Sequence, residues 1–405
     1  MTKKVSLGIT ICLLVLAIVS SSLITVIVML NRYDSLLTDL PARADQYDKL
    51  SDVDELVRNE FYGELDSDVI NSGLVSGFIN GLNDPHSYYI SAENIKAYSD
   101  YLEGKYYGTG INSYYDSESG YLIISYIDPF SPAADSVLKE GYFITAVGGK
   151  TVTDDNYSAL IQSLTEGYDK KISVSYIESK DEDNKSSDTE LSCGYRMPSC
   201  EYQINNDVGY IHFVSFYEDS VNDFQKAVEH FKTNNISALI IDLRNCISTD
   251  YQAASKIIDA IVPLANEGSG AIYTAKNSDG EIISNYSSDS AALNMSIVVL
   301  MNSRTECAAE LFACDLRDFG KAVLVGEKTA GRGTMQKMFS LEDGGAVMLT
   351  VAEIYPYLSD SFDGVGVAPD MEVLTSESFK NQLDFSDFSE DEQYKTAYSY
   401  LTGKK

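Results

Sequence analysis

The second half of the chain alternates short apolar runs with amphipathic stretches, and this alternation constrains the fold more than any other feature. Between residues 208 and 326 the segments are typical of strand, helix, strand, helix, strand, helix and strand: VGYIHFVSF, SVNDFQKAVEHFKT, ISALIIDLR, TDYQAASKIIDAIVP, SIVVLMN, TECAAELFACDLRDFG and KAVLVG. The strands are almost continuously apolar, as expected where both faces of a sheet are covered. The pattern predicts a mainly parallel, doubly covered sheet in an α/β domain over residues 181–375.

Two smaller modules are predicted before this domain and a tail after it. Residues 31–100 place apolar side chains at helical spacing, which indicates two or three helices ending at the turn NDPHSYY. Residues 101–180 instead alternate β-forming residues around Gly-containing turns and include one short amphipathic helix, DDNYSALIQSLTEG. We expect a β-rich domain there, followed by a surface loop, KDEDNKSSDTE. Residues 376–405 show one further helical pattern, around Tyr394, Ala397 and Leu401.

The first 30 residues predict a membrane anchor. Residues 1–4 are short and basic, and the next 26, residues 5–30, contain no charge. About 20 apolar residues suffice to cross a bilayer. The positive-inside rule then places residues 1–4 in the cytoplasm and the remaining domains outside it, in a single-pass protein of the cell membrane. A cleaved signal peptide is the alternative.

Charge and composition exclude several classes of protein. The 61 acidic residues against 30 basic ones give a formal net charge of −31, which repels nucleic acid. The three histidines, His86, His212 and His230, are scattered without ligand spacing, so we predict no metal and no cofactor. Cys193 and Cys200 could pair in an oxidising compartment, whereas Cys246, Cys307 and Cys314 are expected to be small buried side chains.

Several segments together resemble the C-terminal processing, or tail-specific, peptidases. These are secreted or membrane-anchored serine proteases with an inserted PDZ domain. The segments are NDPHSYY, GTGI, SPAADSVLKEGYFITAVGGKTV, VGYIHFVSF, LIIDLRN, GEKTAGRGTMQ and GVGVAPD, in the family's order and spacing from about residue 50. The resemblance implies that residues 101–180 are a PDZ domain and residues 181–375 the peptidase domain, in a bacterial envelope.

The resemblance also implies where the sites lie. It places the catalytic serine at Cys307, the lysine base 25 positions later at Arg332, and the glutamine that orients the lysine at Gln336. It makes Gly108, Thr109, Gly110 and Ile111 the loop that binds the C-terminal carboxylate of a polypeptide. Successive backbone amides in such a loop can hold a carboxylate without a charged side chain, and glycines let the ligand approach closely.

The two catalytic identities are changed, and the change at the base matters most. An arginine cannot lose its proton in a protein, so Arg332 cannot act as a general base. A thiolate at Cys307 could still be a nucleophile. With Thr305 as the expected N-cap, the helix dipole and Arg332 would favour that thiolate, while Glu306 would oppose it.

The oxyanion turn is changed as well. The family follows the strand LIIDLR with Asn-Pro-Gly-Gly, whereas in this chain Ile247 replaces the proline and Ser248 and Thr249 replace the two glycines. We therefore expect the tight turn that presents a backbone amide to be lost, and loss of one oxyanion donor costs on the order of 100-fold in rate. Asp242 and Arg244, at the end of the same strand, are expected to form structural ion pairs, either with each other or with the helical region.

Three hypotheses follow. The first is a membrane-anchored pseudopeptidase whose PDZ groove still binds polypeptide C-termini or unfolded proteins, and which could form a homo-oligomer. The second is an active endopeptidase that uses Cys307 as its nucleophile. The third is an envelope structural protein whose groove is also vestigial.

Overall fold

The computed structural model of the protein describes residue 26 and residues 40–180, 185–262, 271–288, 292–375 and 388–403. The predicted membrane anchor therefore lies, except for residue 26, outside the described residues. No helix within the described ranges is both long enough and apolar enough to cross a membrane. The chain divides into two compact units, Met1–Val75 and Ser76–Lys405.

The described part of the first unit is helical, as predicted. Helix α1 spans Leu40–Glu60, and helix α2, Ser67–Asn80, continues into the second unit. The turn after α2 is built around Asp84, whose carboxylate accepts hydrogen bonds from the His86 N–H (3.0 Å) and the Ser87 hydroxyl (2.6 Å). The expected turn at NDPHSYY is therefore confirmed.

The centre of the second unit is a six-stranded sheet in the order β10-β11-β12-β16-β18-β21. Its strands are β10 Cys200–Asn205, β11 Val208–Phe213, β12 Ala238–Asp242, β16 Ser296–Met301, β18 Ala322–Gly326 and β21 Met371–Glu372. Strands β11, β12, β16, β18 and β21 pair in parallel, whereas β10 runs antiparallel to β11. The predicted mainly parallel sheet is confirmed.

Helices cover both faces of this central sheet. They are α5 Ser220–Thr233, α6 Tyr251–Ile261, α7 Ala308–Asp318 and α8 Glu392–Thr402. On one face Ile211 packs in a cluster with Phe312 of α7; on the other, Tyr210 packs with Tyr394 of the tail helix α8. Successive side chains of a strand point to opposite faces of the sheet. Because helices bury both faces, apolar residues are favoured at successive positions of these strands.

A β-rich module with its own core precedes the central sheet. Its strands are β3 Ile111–Asp116, β4 Tyr121–Ile127, β5 Phe143–Val147, β6 Lys150–Thr151, β7 Lys170–Ile177 and β8 Ser187–Cys193, and its helix is α4 Tyr157–Thr165. The order β3-β4-β5-β7-β8, with β6 beside β5, encloses Leu122, Ile144 and Leu164. Strand β8 corrects one expectation, because residues 187–190 were predicted to lie in a surface loop and instead pair with β7.

A second sheet packs against the α/β core and was not predicted. It contains β1 Tyr88–Ile90, β14 Ala271–Lys276, β15 Ile282–Ser287, β19 Thr334–Ser340 and β20 Ala346–Tyr355, joined through antiparallel pairs. The remaining described elements are one helix and two short strand pairs. The helix is α3 Ile95–Leu102. The pairs are β2 Lys105–Tyr106 with β9 Tyr195–Arg196, and β13 Ile247–Ser248 with β17 Glu306–Cys307. The pair β13–β17 lies at the candidate site.

The five cysteines within the described residues are free and buried. Cys193 and Cys200, considered above as a disulfide pair, are both free thiols in the structure. Cys246, Cys307 and Cys314 are buried, as expected from their apolar surroundings in the sequence.

Candidate active site

Cys307 stands at a strained turn immediately before helix α7. Its backbone has φ 57° and ψ −115°, a left-handed conformation that is rare for a residue with a side chain. Strained backbones of this kind occur at functional sites, and a strand-to-helix turn of this type presents the nucleophile in many hydrolases. The elbow geometry is therefore retained around Cys307.

The expected N-cap at Thr305 was wrong, because Cys307 itself is the residue before the helix. The Thr305 hydroxyl is directed elsewhere. It donates to the Leu243 carbonyl oxygen (2.8 Å) and accepts from the Asn302 N–H (3.0 Å). These bonds fix the turn to the end of β12, the neighbouring strand.

Glu310 ties the turn of Cys307 to the loop that contains Arg332. One carboxylate oxygen accepts from the backbone N–H groups of Cys307 (3.0 Å) and Arg332 (2.8 Å). The other accepts from the Gly331 N–H (2.6 Å) and the Thr329 hydroxyl (2.5 Å). The side chain is fully buried. Sequence reasoning missed this residue, although an acidic side chain three positions after an N-cap is a recognised capping signal.

Glycines on both sides of Arg332 fix its loop by close approach. Gly331 has φ 83°, and a Cβ there would lie 2.9 Å from the Gly366 nitrogen. A Cβ on Gly333 would lie 2.6 Å from the Asp363 nitrogen. The GVGVAPD segment, which contains Gly366, is therefore the wall against which the Arg332 loop packs.

Arg332 forms an ion pair with Glu306, the residue just before Cys307. The contact joins a terminal guanidinium nitrogen, Nη1, to the carboxylate oxygen Oε2. The Arg332 side chain is 43% exposed and that of Glu306 is 11% exposed. The residue at the position of the base is thus permanently protonated and also electrostatically paired.

The surroundings of Cys307 keep its thiol protonated. Burial raises the pKa of Cys307, the carboxylates of Glu310 and Glu306 raise it further, and Arg332 lowers it without compensating, so the pKa is raised to about 12. Arg332 favours the thiolate, as expected, but burial and the two carboxylates outweigh it, so the net shift is towards the thiol. The expected opposing effect of Glu306 is confirmed.

The segment at the position of the oxyanion turn forms a short parallel strand beside Cys307. In the β13–β17 pair, Ile247 is opposite Glu306 and Ser248 is opposite Cys307. The Ser248 hydroxyl donates to the Phe216 carbonyl oxygen (3.0 Å). The Cys307 N–H, which could otherwise face a developing oxyanion, donates to Glu310.

The three predicted catalytic positions lie in one cleft of about 480 Å³. The Gln336 amide donates to the hydroxyls of Thr334 (2.8 Å) and Thr350 (3.2 Å), so it is held along β19. Aromatic and sulfur-containing side chains form much of the wall, and sequence reasoning did not anticipate them: Tyr88, Tyr98, Tyr101, Phe216, Tyr217, Met338 and Met348. His86, interpreted above only as part of a turn, and Asp250 also line the cleft.

The predicted carboxylate-binding loop lies in the β-rich module. The N–H groups of Gly108 and Thr109 donate to the carbonyl oxygens of Gly167 (2.9 Å) and Leu164 (2.7 Å). The Ile111 N–H makes a longer contact, 3.4 Å, with the Thr109 hydroxyl. The Gly108 and Thr109 N–H groups are therefore bonded within the chain, at and just after the end of helix α4, which corrects the expectation that successive amides of this loop hold a carboxylate.

A buried charge network lies beneath the site. Arg244 contacts Asp242 (2.5 Å) and Asp391, the N-cap of α8 (2.7 Å), with all three side chains at most 3% exposed. Burial alone would raise the pKa of Asp242, but the Arg244 guanidinium outweighs burial and the pKa is lowered. The expected pairing of Asp242 with Arg244 is confirmed, and Arg244 also pairs with Asp391 at the start of the tail helix.

A strained strand-to-helix elbow on a mixed α/β fold, opposite a glycine-bracketed loop, defines a peptidase-type α/β protein. Residues 207–373 match the model of peptidase family S41. Residues 207–373 therefore form a peptidase family S41 domain, and the chain is similar to carboxy-terminal-processing proteases.

Curated relatives extend the likeness beyond that domain. A carboxy-terminal-processing protease of Bartonella bacilliformis is 24% identical over 347 residues, covering 81% of this chain and 75% of the relative. A CtpA-like serine protease candidate of Staphylococcus aureus is 23% identical over 333 residues, covering 81% of this chain but only 64% of the relative. A solved structure of an S41 protease homologue from Bacteroides fragilis has a TM-score of 0.53 and is 21% identical in sequence. The match covers 81% of this chain and 90% of that chain, and it shows that the two share a fold.

Proposed function

We propose that this chain is a polypeptide-binding pseudopeptidase of the C-terminal processing family. The observation that supports this most directly is the Arg332–Glu306 ion pair beside a buried, protonated Cys307. Hydrolysis of an amide needs a base for the nucleophile and an acid for the leaving amine. Neither Arg332 nor a thiol with a pKa of about 12 supplies that proton transfer near neutral pH.

The β-rich module is proposed to be a PDZ domain that binds polypeptide C-termini. Its independent core and the two loop glycines, each with φ 81°, support this assignment. The proposed contact is the loop of residues 108–111. Gly110 is also a packing residue, because a Cβ there would lie 2.0 Å from the Ser131 Cβ. A bulky substitution at Gly110 would therefore disrupt packing against Ser131, so a loss of binding in that variant would not by itself identify a binding residue.

The proposed setting is the outer face of a bacterial cell membrane. The uncharged run of residues 5–30 supports an anchor, and the net charge of −31 supports partners that are neither nucleic acid nor anionic lipid surface. The proposed partners are unfolded or tail-exposed polypeptides.

The test measures cleavage and binding of polypeptides by the full chain in detergent. The chain is incubated with unfolded polypeptides, and cleavage is followed by mass spectrometry while peptide affinity is measured by fluorescence polarisation. We expect saturable binding without cleavage. Cleavage that disappears in C307A would overturn the proposal.

A second candidate function is a working endopeptidase that uses Cys307. The retained elbow, with φ 57° at Cys307, favours it. The same experiment separates the two, since this candidate requires cleavage that depends on Cys307 and is blocked by iodoacetamide.

A further inference from the structure

The positive charge of Arg332, which lines the cleft, is paired with the carboxylate of Glu306. Arg332 lines the cleft, and its side chain is 43% exposed. Glu306 pairs with it from the residue before Cys307. Asp250, also in the lining, has one carboxylate oxygen bonded to the Ala253 N–H as the cap of α6. With Cys307 neutral, the cleft has no net positive charge to offer an anion.

The walls of the cleft instead present apolar surface. Five apolar or aromatic lining residues are well exposed: Tyr101 (52%), Ile247 (43%), Leu102 (40%), Met338 (39%) and Tyr88 (37%). A volume of about 480 Å³ falls in the size range of ligand pockets. Methionine and tyrosine side chains adapt to varied apolar ligands.

We propose that Glu306 is a specificity-determining residue: by pairing with Arg332 it makes the cleft accept uncharged apolar segments from within a polypeptide and reject its terminal carboxylate. The inference rests on the proposed polypeptide binding and assigns the occupant of the cleft. The guanidinium of an unpaired arginine would hold a carboxylate through two parallel N–H donors. Glu306 already contacts one terminal nitrogen of the Arg332 guanidinium, Nη1, which removes one of the two donors that such a fork would offer.

The test compares E306Q with the native chain. One apolar peptide is prepared twice, with a free C-terminal carboxylate and with a C-terminal amide, and both are titrated against the full chain. The native cleft should not prefer the acid. In E306Q the acid should gain about 5-fold over the amide relative to the native chain, as for one partly exposed ion pair. Because the β-rich module is proposed to bind the free acid in both chains, each titration is fitted with two sites, and the site whose acid-to-amide ratio differs between the two chains is assigned to the cleft.

R332Q and the double variant E306Q/R332Q are the matched controls. The double variant should lose the gain, because the cation that E306Q exposes is absent. The gain should also shrink in 0.5 M NaCl. Thermal unfolding of each variant establishes that it is folded, and E306A replaces E306Q if the latter does not fold.

Two failures are distinguishable. Peptide binding that persists in E306Q with an unchanged ratio of acid to amide affinity would overturn the role of Glu306 and leave the proposed function standing. Absence of binding to either peptide form by the folded native chain would overturn the proposed function itself.

Discussion

At the scale of single residues, the protonation of Cys307 gives the first prediction. At pH 8, iodoacetamide should modify Cys307 in the folded chain roughly 1,000-fold more slowly than in the urea-unfolded chain, because a pKa of about 12 leaves little thiolate. Peptide mapping by mass spectrometry measures the rate at this cysteine. E306Q should be modified faster, since it removes a carboxylate that raises the pKa and leaves Arg332 unpaired.

The same shift has a consequence for stability. The pKa of Cys307 is higher in the folded chain than in the unfolded one, so its contribution to the free energy of unfolding is complete below pH 8.5 and is lost as the pH rises towards 12. Alkaline unfolding of C307A should therefore begin at a higher pH than that of the native chain. An earlier onset in C307A would contradict the assignment.

Restoring the family's catalytic pair should not restore turnover. In C307S/R332K the new lysine would still face Glu306, and a neighbouring carboxylate raises the pKa of a lysine, which opposes its role as a base. Adding E306A removes that carboxylate, so any cleavage should appear only in the triple variant. Cleavage of an unfolded substrate, followed by mass spectrometry, measures this; equal turnover in the double and triple variants would show that Glu306 does not matter.

The resemblance to the peptidase family named Cys307, Arg332 and Gln336, and the structure brings all three to one cleft, but the resemblance did not give their contacts. The 25-residue separation of Cys307 and Arg332 in the sequence identifies the loop that contains the arginine. It does not identify the carboxylate that pairs with the guanidinium. The two nearby acids have different partners, because Glu310 accepts backbone N–H groups while Glu306 takes the cation. That division depends on side-chain directions at the strained turn, which no periodicity in the sequence reports.

At the scale of secondary-structure elements, the tail helix should depend on the buried network. Replacing Asp391 by alanine leaves Arg244 with one carboxylate and removes the cap of α8, which should cost about 3 kcal/mol. Urea unfolding measures the loss. The matched control is E392A, one residue later, where the partner Lys395 is exposed and little change is expected. Equal losses would mean that the helix end, and not the network, is responsible.

The elements that sequence predicted best are those with both faces buried. Strands β12 and β16 are apolar except for Asp242 at the end of β12 and Ser296 at the start of β16, so the sequence predicts them as buried strands whichever residues they pair with. Strand β8 was missed because it is an edge strand whose first half is polar, with Leu191 and Cys193 buried only towards its end. The second sheet was missed because β20 pairs with β1 and β14 from distant parts of the chain, and such pairings leave no local signal.

At the scale of the whole molecule, repulsion between like charges should exceed the attraction of surface ion pairs. Even if each of the 30 basic residues neutralised one acidic residue, 31 of the 61 acidic residues would remain uncompensated. Exposed pairs such as Lys171–Glu190 and Arg196–Asp219 stabilise weakly and are screened by salt along with the repulsion. The buried Arg244 network is shielded from salt and contributes at any ionic strength.

The urea midpoint should therefore rise when NaCl is increased from 20 mM to 300 mM, because screening relieves the self-repulsion of the compact state more than it weakens the few exposed pairs. Urea is uncharged, so it does not itself change the ionic strength. An equal osmolality of a non-ionic solute is the control for effects unrelated to charge. A midpoint that falls with NaCl would show that surface ion pairs, despite their exposure, outweigh the excess of 31 negative charges.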